Sequence, residues 1–276
     1  MPSNKPIQGF KPTGSMLRDS QWTVARRVIG ALLLRELLTR YGRNNIGFLW
    51  LFIEPMLFVA VVVAIRSAIG LGGFRSNVPI VAFALTGYAS MLLWRNMPGR
   101  CIGAHKSNIP LLYHRPVTIL DVYISRVLLE IVAVTASFVA LGVGFFAMGW
   151  LPAPEDSLQV LGGWLLLAWF GVGLGWTVGG LSEKTKVVGN LWPPFSYILI
   201  IFSGVFYLAD SLPPRMREIM LYLPILNAVE FLREGWFGSL FHAHYHLNYV
   251  IVWNLLLTFS GLSLIRQVGT DVTEEE

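Results

Sequence analysis

Apolar residues in this chain run in long blocks rather than in stripes. The stretches 77–94, 131–154, 157–182, 187–209 and 247–265 contain no charged residue, and 48–65 contains one, Glu54, beside Pro55. A bilayer core takes about 20 predominantly apolar residues per helix. Backbone polar groups in lipid must bond internally, so such blocks are helices. The strict apolar–polar alternation of a barrel strand is absent. The pattern predicts an all-α polytopic membrane protein. Six transmembrane helices are expected at about 48–65, 77–94, 127–149, 158–181, 187–209 and 247–265, within a transmembrane domain 44–265.

The segments between the blocks have their own patterns. Residues 1–21 are polar and are expected to be a flexible cytoplasmic N-terminus with no removable signal peptide. Residues 22–43 are rich in Leu and Arg. Ile29, Leu33 and Leu37 share one helical face, while Arg26, Arg27, Arg35 and Arg40 are spread around the others. Long Arg side chains can snorkel to headgroups, so this segment predicts an amphipathic helix lying at the membrane surface. Residues 98–116, punctuated by Pro98, Pro110 and Pro116, form the largest internal loop. Residues 210–246 form the longest outer connection. Pro213-Pro214 opens it, Pro224 divides it, and its apolar pieces are too short to cross. Two short re-entrant helices are expected there, between spans five and six.

Composition and charge then set compartment and orientation. The 276 residues are 54% hydrophobic and 13% charged, with a mean hydropathy of +0.59, which excludes an ordinary soluble domain. Cys101 is the only cysteine, so no intrachain disulfide supports the fold. With a net charge of +5, the question is which side of the membrane the basic residues face. Six spans put both termini on one side. Sixteen of the 21 Lys and Arg residues then fall on that side, which predicts both termini in the cytoplasm. Residues 266–276 become a cytoplasmic tail.

Candidate chemistry is sparse. No Gly-Lys pair occurs, so the chain has no P-loop, and ATP-driven work would need another polypeptide. His242-Ala-His244-Tyr-His246 could present imidazoles to a metal if extended, but no Cys, Asp or Glu completes the set nearby. The plainer reading is an aqueous turn before the last span. His105 and His114 read as surface residues. Glu54 is an intramembrane carboxylate and hence a functional candidate. Its structural alternative is pairing with a nearby Arg, or capping backbone freed by Pro55. No other span is expected to hold a central acid. Gly171, Gly175 and Gly179 recur every four residues and suit close helix packing. Among the aromatics, Trp150, Trp164, Trp192 and Trp253 suit an interfacial belt. Trp50, Tyr88, Trp94 and Tyr197 could instead meet sugar rings, with Arg95 and Arg100 attracting an anionic chain. Positive-inside topology accounts for the same Arg residues.

Several short motifs occur in a telling order. Arg35-Glu36-Leu37-Leu38-Thr39-Arg40-Tyr41-Gly42, then Gly47-Phe48-Leu49-Trp50 and Glu54-Pro55, resemble the opening signature of ABC-2 type permeases. The branch they look most like exports capsular polysaccharide in Gram-negative bacteria. Asn108-Ile109-Pro110-Leu111-Leu112-Tyr113-His114-Arg115-Pro116 resembles that family's coupling loop between spans two and three, with Tyr113-His114-Arg115 where many relatives have a Phe-Pro-Arg-like run. Ser203-Gly204-Val205-Phe206-Tyr207 with Leu212-Pro213 resembles the end of span five. Tyr222-Leu223-Pro224-Ile225 and Glu230-Phe231-Leu232-Arg233-Glu234-Gly235 resemble the segment after it. The resemblance covers about residues 20–265.

The resemblance implies a permease subunit of an ATP-driven exporter in the bacterial inner membrane. It would be a homodimer on two ABC ATPase subunits that bind the ATP and Mg, with no cofactor and no catalytic or metal site on this chain, and no nucleic-acid partner. Membrane lipids and periplasmic or outer-membrane export proteins would be further partners. The implied ATPase-coupling residues are Asn108, Pro110, Leu112, Tyr113, His114 and Arg115, with Arg35, Glu36 and Arg40 on the surface helix. Trp50, Tyr88, Trp94, Arg95, Arg100 and Tyr197 would line the path. Pro213, Pro214, Pro224, Glu230 and Arg233 would build the periplasmic gate. Alternatives are the same machine with another lipid-linked glycan, such as O-antigen or teichoic acid, or a membrane-embedded glycan- or lipid-processing enzyme. The enzyme would need an acid or metal constellation, for which only Glu230 with Glu234 and the His242–His246 turn are candidates.

Overall fold

The computed structural model describes residues 21–41, 46–69, 78–108 and 117–274, and among them it is all-helical. Nine α-helices follow in order among those residues: α1 (Gln21–Tyr41), α2 (Ile46–Ile69), α3 (Ile80–Cys101), α4 (Ile119–Ala147), α5 (Ser157–Lys184), α6 (Lys186–Phe202), α7 (Pro214–Met220), α8 (Pro224–Phe237) and α9 (Leu247–Glu274). Among the described residues, three helical stretches are long and apolar enough to cross a membrane: α4, α5 and Leu247–Gly269 of α9. Leu49–Ile65 in α2 and Lys186–Phe202 are shorter apolar helices. The chain is a polytopic membrane protein. α3 is less apolar because Arg95 and Asn96 fall within it, yet it is the most enclosed of the long helices, with Leu93, Trp94, Met97 and Cys101 fully buried.

Helix ends differ from the apolar blocks where local hydrogen bonds outrank hydropathy. α4 begins at Ile119, well before the expected 127. Thr118 Oγ1 accepts from the Asp121 N–H at 3.2 Å and Asp121 Oδ2 accepts from the Thr118 N–H at 2.9 Å, a capping box that fixes the start. The earlier start draws Arg126 into the helix that holds Glu130. α5 begins where Asp156 Oδ1 accepts from the N–H groups of Leu158 and Gln159 at 2.9 and 3.0 Å. α6 stops at Phe202, short of the expected 209, and Gly204 follows at φ +82°. α9 continues as helix to Glu274, beyond the expected 265. The two short helices expected after span five are α7 and α8, each with proline in its first turn, where a missing N–H costs nothing.

Glycines set the packing of α5. A Cβ on Gly171 would lie 3.0 Å from the Leu93 carbonyl oxygen and 3.1 Å from Trp94 Cα. One on Gly179 would lie 2.6 Å from Cys101 Cβ and 2.7 Å from Tyr123 Cε1. The Gly171–Gly175–Gly179 stripe therefore brings α3 onto α5 within the chain. Gly173 and Gly180 on α5, facing Leu257 and Leu264, do the same for α9. Gly163 and Gly235 hold α8 against the opposite end of α5, against Leu232 and Val160. By contrast, α6 buries only Trp192, Ser196 and Ile200, at i, i+4 and i+8. Leu191, Phe195, Tyr197, Ile198 and Ile201 stay exposed. α2 likewise exposes Leu49, Trp50, Met56, Leu57, Val61 and Ile65.

Candidate functional site

Two polar clusters occupy opposite ends of the bundle. The first joins α1 to α3, α4 and the turn after α3. Arg35 Nη1 donates to Asn108 Oδ1 at 2.7 Å. Arg126 on α4 donates through Nε to Glu36 Oε1 at 3.2 Å, through Nη1 to the Arg100 carbonyl at 2.7 Å and through Nη2 to Ser107 Oγ at 2.8 Å. The carbonyl it takes is in the last turn of α3, where helical partners run out. One turn further along α4, the fully buried Glu130 accepts from Arg40 Nη1 at 2.5 Å and from Asn96 Nδ2 at 2.8 Å. Arg100 Nε lies 3.4 Å from it. An open recess of about 250 Å³ lies over this cluster, between Thr39, Arg40, Gly99, Arg100 and Arg126.

Beside that cluster lies the face shared by α2, α3 and α6. Tyr88 donates to Glu54 Oε1 at 2.8 Å, and the Phe58 ring stacks on Tyr88 with centroids 4.2 Å apart. Arg95 lies over the Tyr197 ring, 4.5 Å from its centroid, in reach of Ser196 Oγ at 3.5 Å. A second open recess of about 290 Å³ is lined by Arg95, Asn96, Arg100, Trp192 and Ser196. This face offers guanidinium groups and aromatic rings side by side.

The second cluster belongs to α8, whose Asn227, Glu230 and Arg233 are all fully buried at i, i+3 and i+6. Arg233 Nη1 donates to the carbonyls of Gly204 and Tyr207 at 2.5 and 3.0 Å. Its Nη2 donates to those of Val205 and Phe83 at 3.3 and 3.4 Å. Gly87 on α3 leaves the room, since a Cβ there would sit 2.6 Å from Arg233 Nη2. Glu230 accepts from the Ala209 N–H at 3.0 Å and the His244 N–H at 3.4 Å. Asn227 accepts from the His246 N–H at 2.8 Å and donates to the carbonyls of Leu221 and Leu223 at 2.7 and 2.9 Å. One helix face thus ties down the loops after α6, after α7 and before α9. Burial pushes the Glu230 carboxyl up to about 7, against the opposing pull of the Ala209 N–H and Arg233. Burial also lowers the His244 pKa, with the adjacent Arg217 adding to the effect.

The sequence-derived residues divide between these places. Arg35, Glu36, Arg40 and Asn108 meet at the first cluster, where Arg100 joins them. Pro110, Leu112, Tyr113, His114 and Arg115 lie outside the described residues. Tyr88, Arg95 and Tyr197 share the α2–α3–α6 face, and Trp50 is exposed on α2. Trp94 is fully buried, with its backbone against Gly171. Pro213, Pro214 and Pro224 open α7 and α8, and Glu230 and Arg233 form the second cluster. Glu54 accepts from Tyr88, a partner other than the two structural alternatives named for it, a nearby Arg or backbone freed by Pro55. Glu130 falls near the start of the expected span 127–149, just before its uncharged run, and was not singled out as a functional residue. Its signal was the Arg126–Glu130 spacing of i, i+4. Asn227 was also missed. Among the described residues, no group of three or more His, Cys, Asp or Glu could hold a metal.

Comparison with known proteins adds an independent line. Residues 27–237 match the family described as ABC-2 type transporter. The capsule polysaccharide export inner-membrane protein CtrC of Neisseria meningitidis serogroup B is 39% identical over 249 residues, covering 90% of this chain and 94% of that protein. BexB of Haemophilus influenzae, described in the same words, is 37% identical over 89% of this chain and 92% of its own. The polysialic acid transport protein KpsM of Escherichia coli is 29% identical over 90% of this chain and 95% of its own.

Proposed function

The chain belongs to the ABC-2 type transporter family, and from that premise we propose that it is the inner-membrane permease subunit of a capsular polysaccharide exporter, driven by a separate ATPase. The similarity to CtrC, BexB and KpsM over nine-tenths of the chain carries the cargo assignment. The geometry supports the machinery. In this reading α2, α3, α4, α5, α6 and α9 are six spans with both termini in the cytoplasm. α1 lies along the inner surface, its exposed Leu34, Leu37 and Leu38 meeting lipid. α7 and α8 are outer half-helices that close the path.

Two copies face each other across α2, α3 and α6. The exposed apolar faces of α2 and α6 are what a second copy and the membrane would cover. Trp50, Tyr88, Arg95, Arg100 and Tyr197 lie toward that seam, where aromatic faces can slide along sugar rings and guanidinium groups attract an anionic chain. The fully buried Trp94 is left out of that surface. ATP-driven closure of the ATPase pair presses on α1 and on the loop containing Asn108, Pro110, Leu112, Tyr113, His114 and Arg115. The bundles then move as rigid bodies. Such movement transports only if the loaded state differs in energy between the two arrangements. Other partners are export proteins of the periplasm and outer membrane.

Deleting the gene in its host and supplying it with and without its ATPase tests the reading. Capsular glycan should appear at the surface only when both are present and should accumulate inside otherwise. Accumulation of a different surface glycan would reassign the cargo. Glycan processing by this chain alone, without a copurifying P-loop protein, would overturn the transporter reading.

A further inference from the structure

Glu130 is buried, charged and unused by the transport reading above, on which this inference rests. It belongs to a pattern that spans two helices. On α1, Glu36 and Arg40 stand four residues apart, and on α4, Arg126 and Glu130 do the same. The pairs meet in order: Glu36 with Arg126 at 3.2 Å and Arg40 with Glu130 at 2.5 Å. The polarity is therefore crossed, minus on plus and then plus on minus. Sliding α1 along α4 by one helical turn, about 5.4 Å, brings either Glu36 opposite Glu130 or Arg40 opposite Arg126. Either slip sets like charges against each other in a partly buried place, where screening is weak. Both rungs are also tied to α3. Glu130 takes the Asn96 amide and has Arg100 at 3.4 Å, and Arg126 holds the Arg100 carbonyl.

We infer that the Glu36–Arg126 and Arg40–Glu130 pairs form a register lock, with Glu130 as its positioning residue, through which force on α1 reaches α4 and α3 instead of being lost in slip. Stability alone does not require such a cluster, since well-packed apolar residues often replace a buried ion pair without loss. What the charges add is a preference for one alignment. Arg35 and Asn108, joined at 2.7 Å, fasten the same plate to the turn after α3. A push from below therefore meets α1, the 102–108 turn, α3 and α4 as one body.

The test uses the full complex of this chain with its ATPase. Glu130→Gln keeps the side-chain shape and an acceptor for Asn96 but removes the charge. The readout is capsular glycan exported per ATP hydrolysed, normalised to assembled complex. Glu130→Gln should lower that ratio tenfold or more, and Glu130→Asp, which keeps the charge and with it the crossed polarity, should recover at least a third of it. A residue that only supports the fold would reduce the amount of complex and leave the ratio unchanged, which would overturn the inference. Should Glu130→Gln fail to accumulate, Arg40→Gln, at the partly exposed end of α1, decides by the same ratio. An unchanged ratio there overturns the lock. The wild-type complex separates the two levels of failure. ATP hydrolysis without export in wild type refutes the transporter reading. Wild-type export with unaltered variant ratios refutes only the lock.

Discussion

Adjacent glycines on α5 offer a controlled test of how the outer helix is held. A Cβ at Gly163 would stand 2.7, 2.8 and 2.9 Å from the Cβ, Cα and N of Leu232 on α8. Two of those atoms are backbone and the third is fixed to it, so no rotamer change relieves the overlap. Ordinary contact is near 3.5–4.0 Å, so the two helices must part by about 1 Å. A Cβ at Gly162 meets only the Phe231 ring, Cε1 at 3.4 Å and Cζ at 3.9 Å, which is ordinary contact. Both substitutions to Ala gain the same helix propensity, about 0.5–1 kcal/mol. Only Gly163→Ala adds an overpacking cost, typically about 1–3 kcal/mol. The difference between the variants thus isolates the α5–α8 contact. Purified in detergent, Gly162→Ala should melt at or slightly above wild type, with Gly163→Ala below it by roughly 2–4 °C per kcal/mol of the difference. Equal melting temperatures would refute close backbone packing of α8 on α5.

Three other outcomes follow from the same structure. Arg233→Met strips donors from four carbonyls at the α6–α8 junction and should cost roughly 3 kcal/mol or more, with Arg233→Lys recovering only part because one ammonium cannot span them; melting temperature and protease cleavage within 203–212 report it. Glu230 is raised from 4.5 to about 7, so its contribution is fully present below pH about 4.5 and lost as pH rises through about 7, a slope worth roughly 3 kcal/mol that Glu230→Gln should flatten between pH 5 and 8; an unchanged slope would refute the assignment to Glu230. Replacing Tyr113 or Arg115 by Ala should lower surface glycan with membrane insertion intact, and wild-type export together with full substrate-stimulated ATPase activity would show that these positions do not couple.

The helices were legible because burial in lipid leaves a one-dimensional mark, an uncharged run of the right length. Their ends were not, because caps and side-chain clamps set them. Thr118 with Asp121 starts α4 among residues that hydropathy reads as loop. Arg233 takes the carbonyls of Gly204, Val205 and Tyr207, so α6 ends before its apolar run does. The same limit hid the first cluster. Arg35, Glu36, Arg40 and Asn108 were singled out by a motif, but Arg126 and Glu130, which bind them, looked like the charged border of a span. An ion pair across 90 residues of sequence, as between Arg40 and Glu130, leaves no periodicity to read. Asn227 escaped for a related reason: an amide in an apolar segment declares itself only when the loops it holds are in place.

The distribution of these contacts also indicates which parts move together. α3, α5 and α9 meet through glycines at van der Waals limits, a packing that cannot slide without climbing over backbone. α1 and α4 are registered to α3 by charge at one end, and α8 is bound to α5 and α3 at the other by Gly163 and Arg233. Among the described residues of α2 and α6, no ion pair registers either helix and no glycine meets a neighbouring backbone; a Cβ at Gly189 on α6 would meet only side chains, the nearer Ile102 Cγ2 at 3.2 Å. α6 buries one narrow stripe and contains Pro193 and Pro194, which remove internal hydrogen bonds, while α2 contains Pro55 and leaves Leu49, Trp50, Met56, Leu57, Val61 and Ile65 exposed. These are the two helices that, with α3, face the proposed seam. A conduit that must widen for a polymer and close behind it needs compliant walls on a stiff frame. In this chain the stiff frame and the compliant walls fall on different helices.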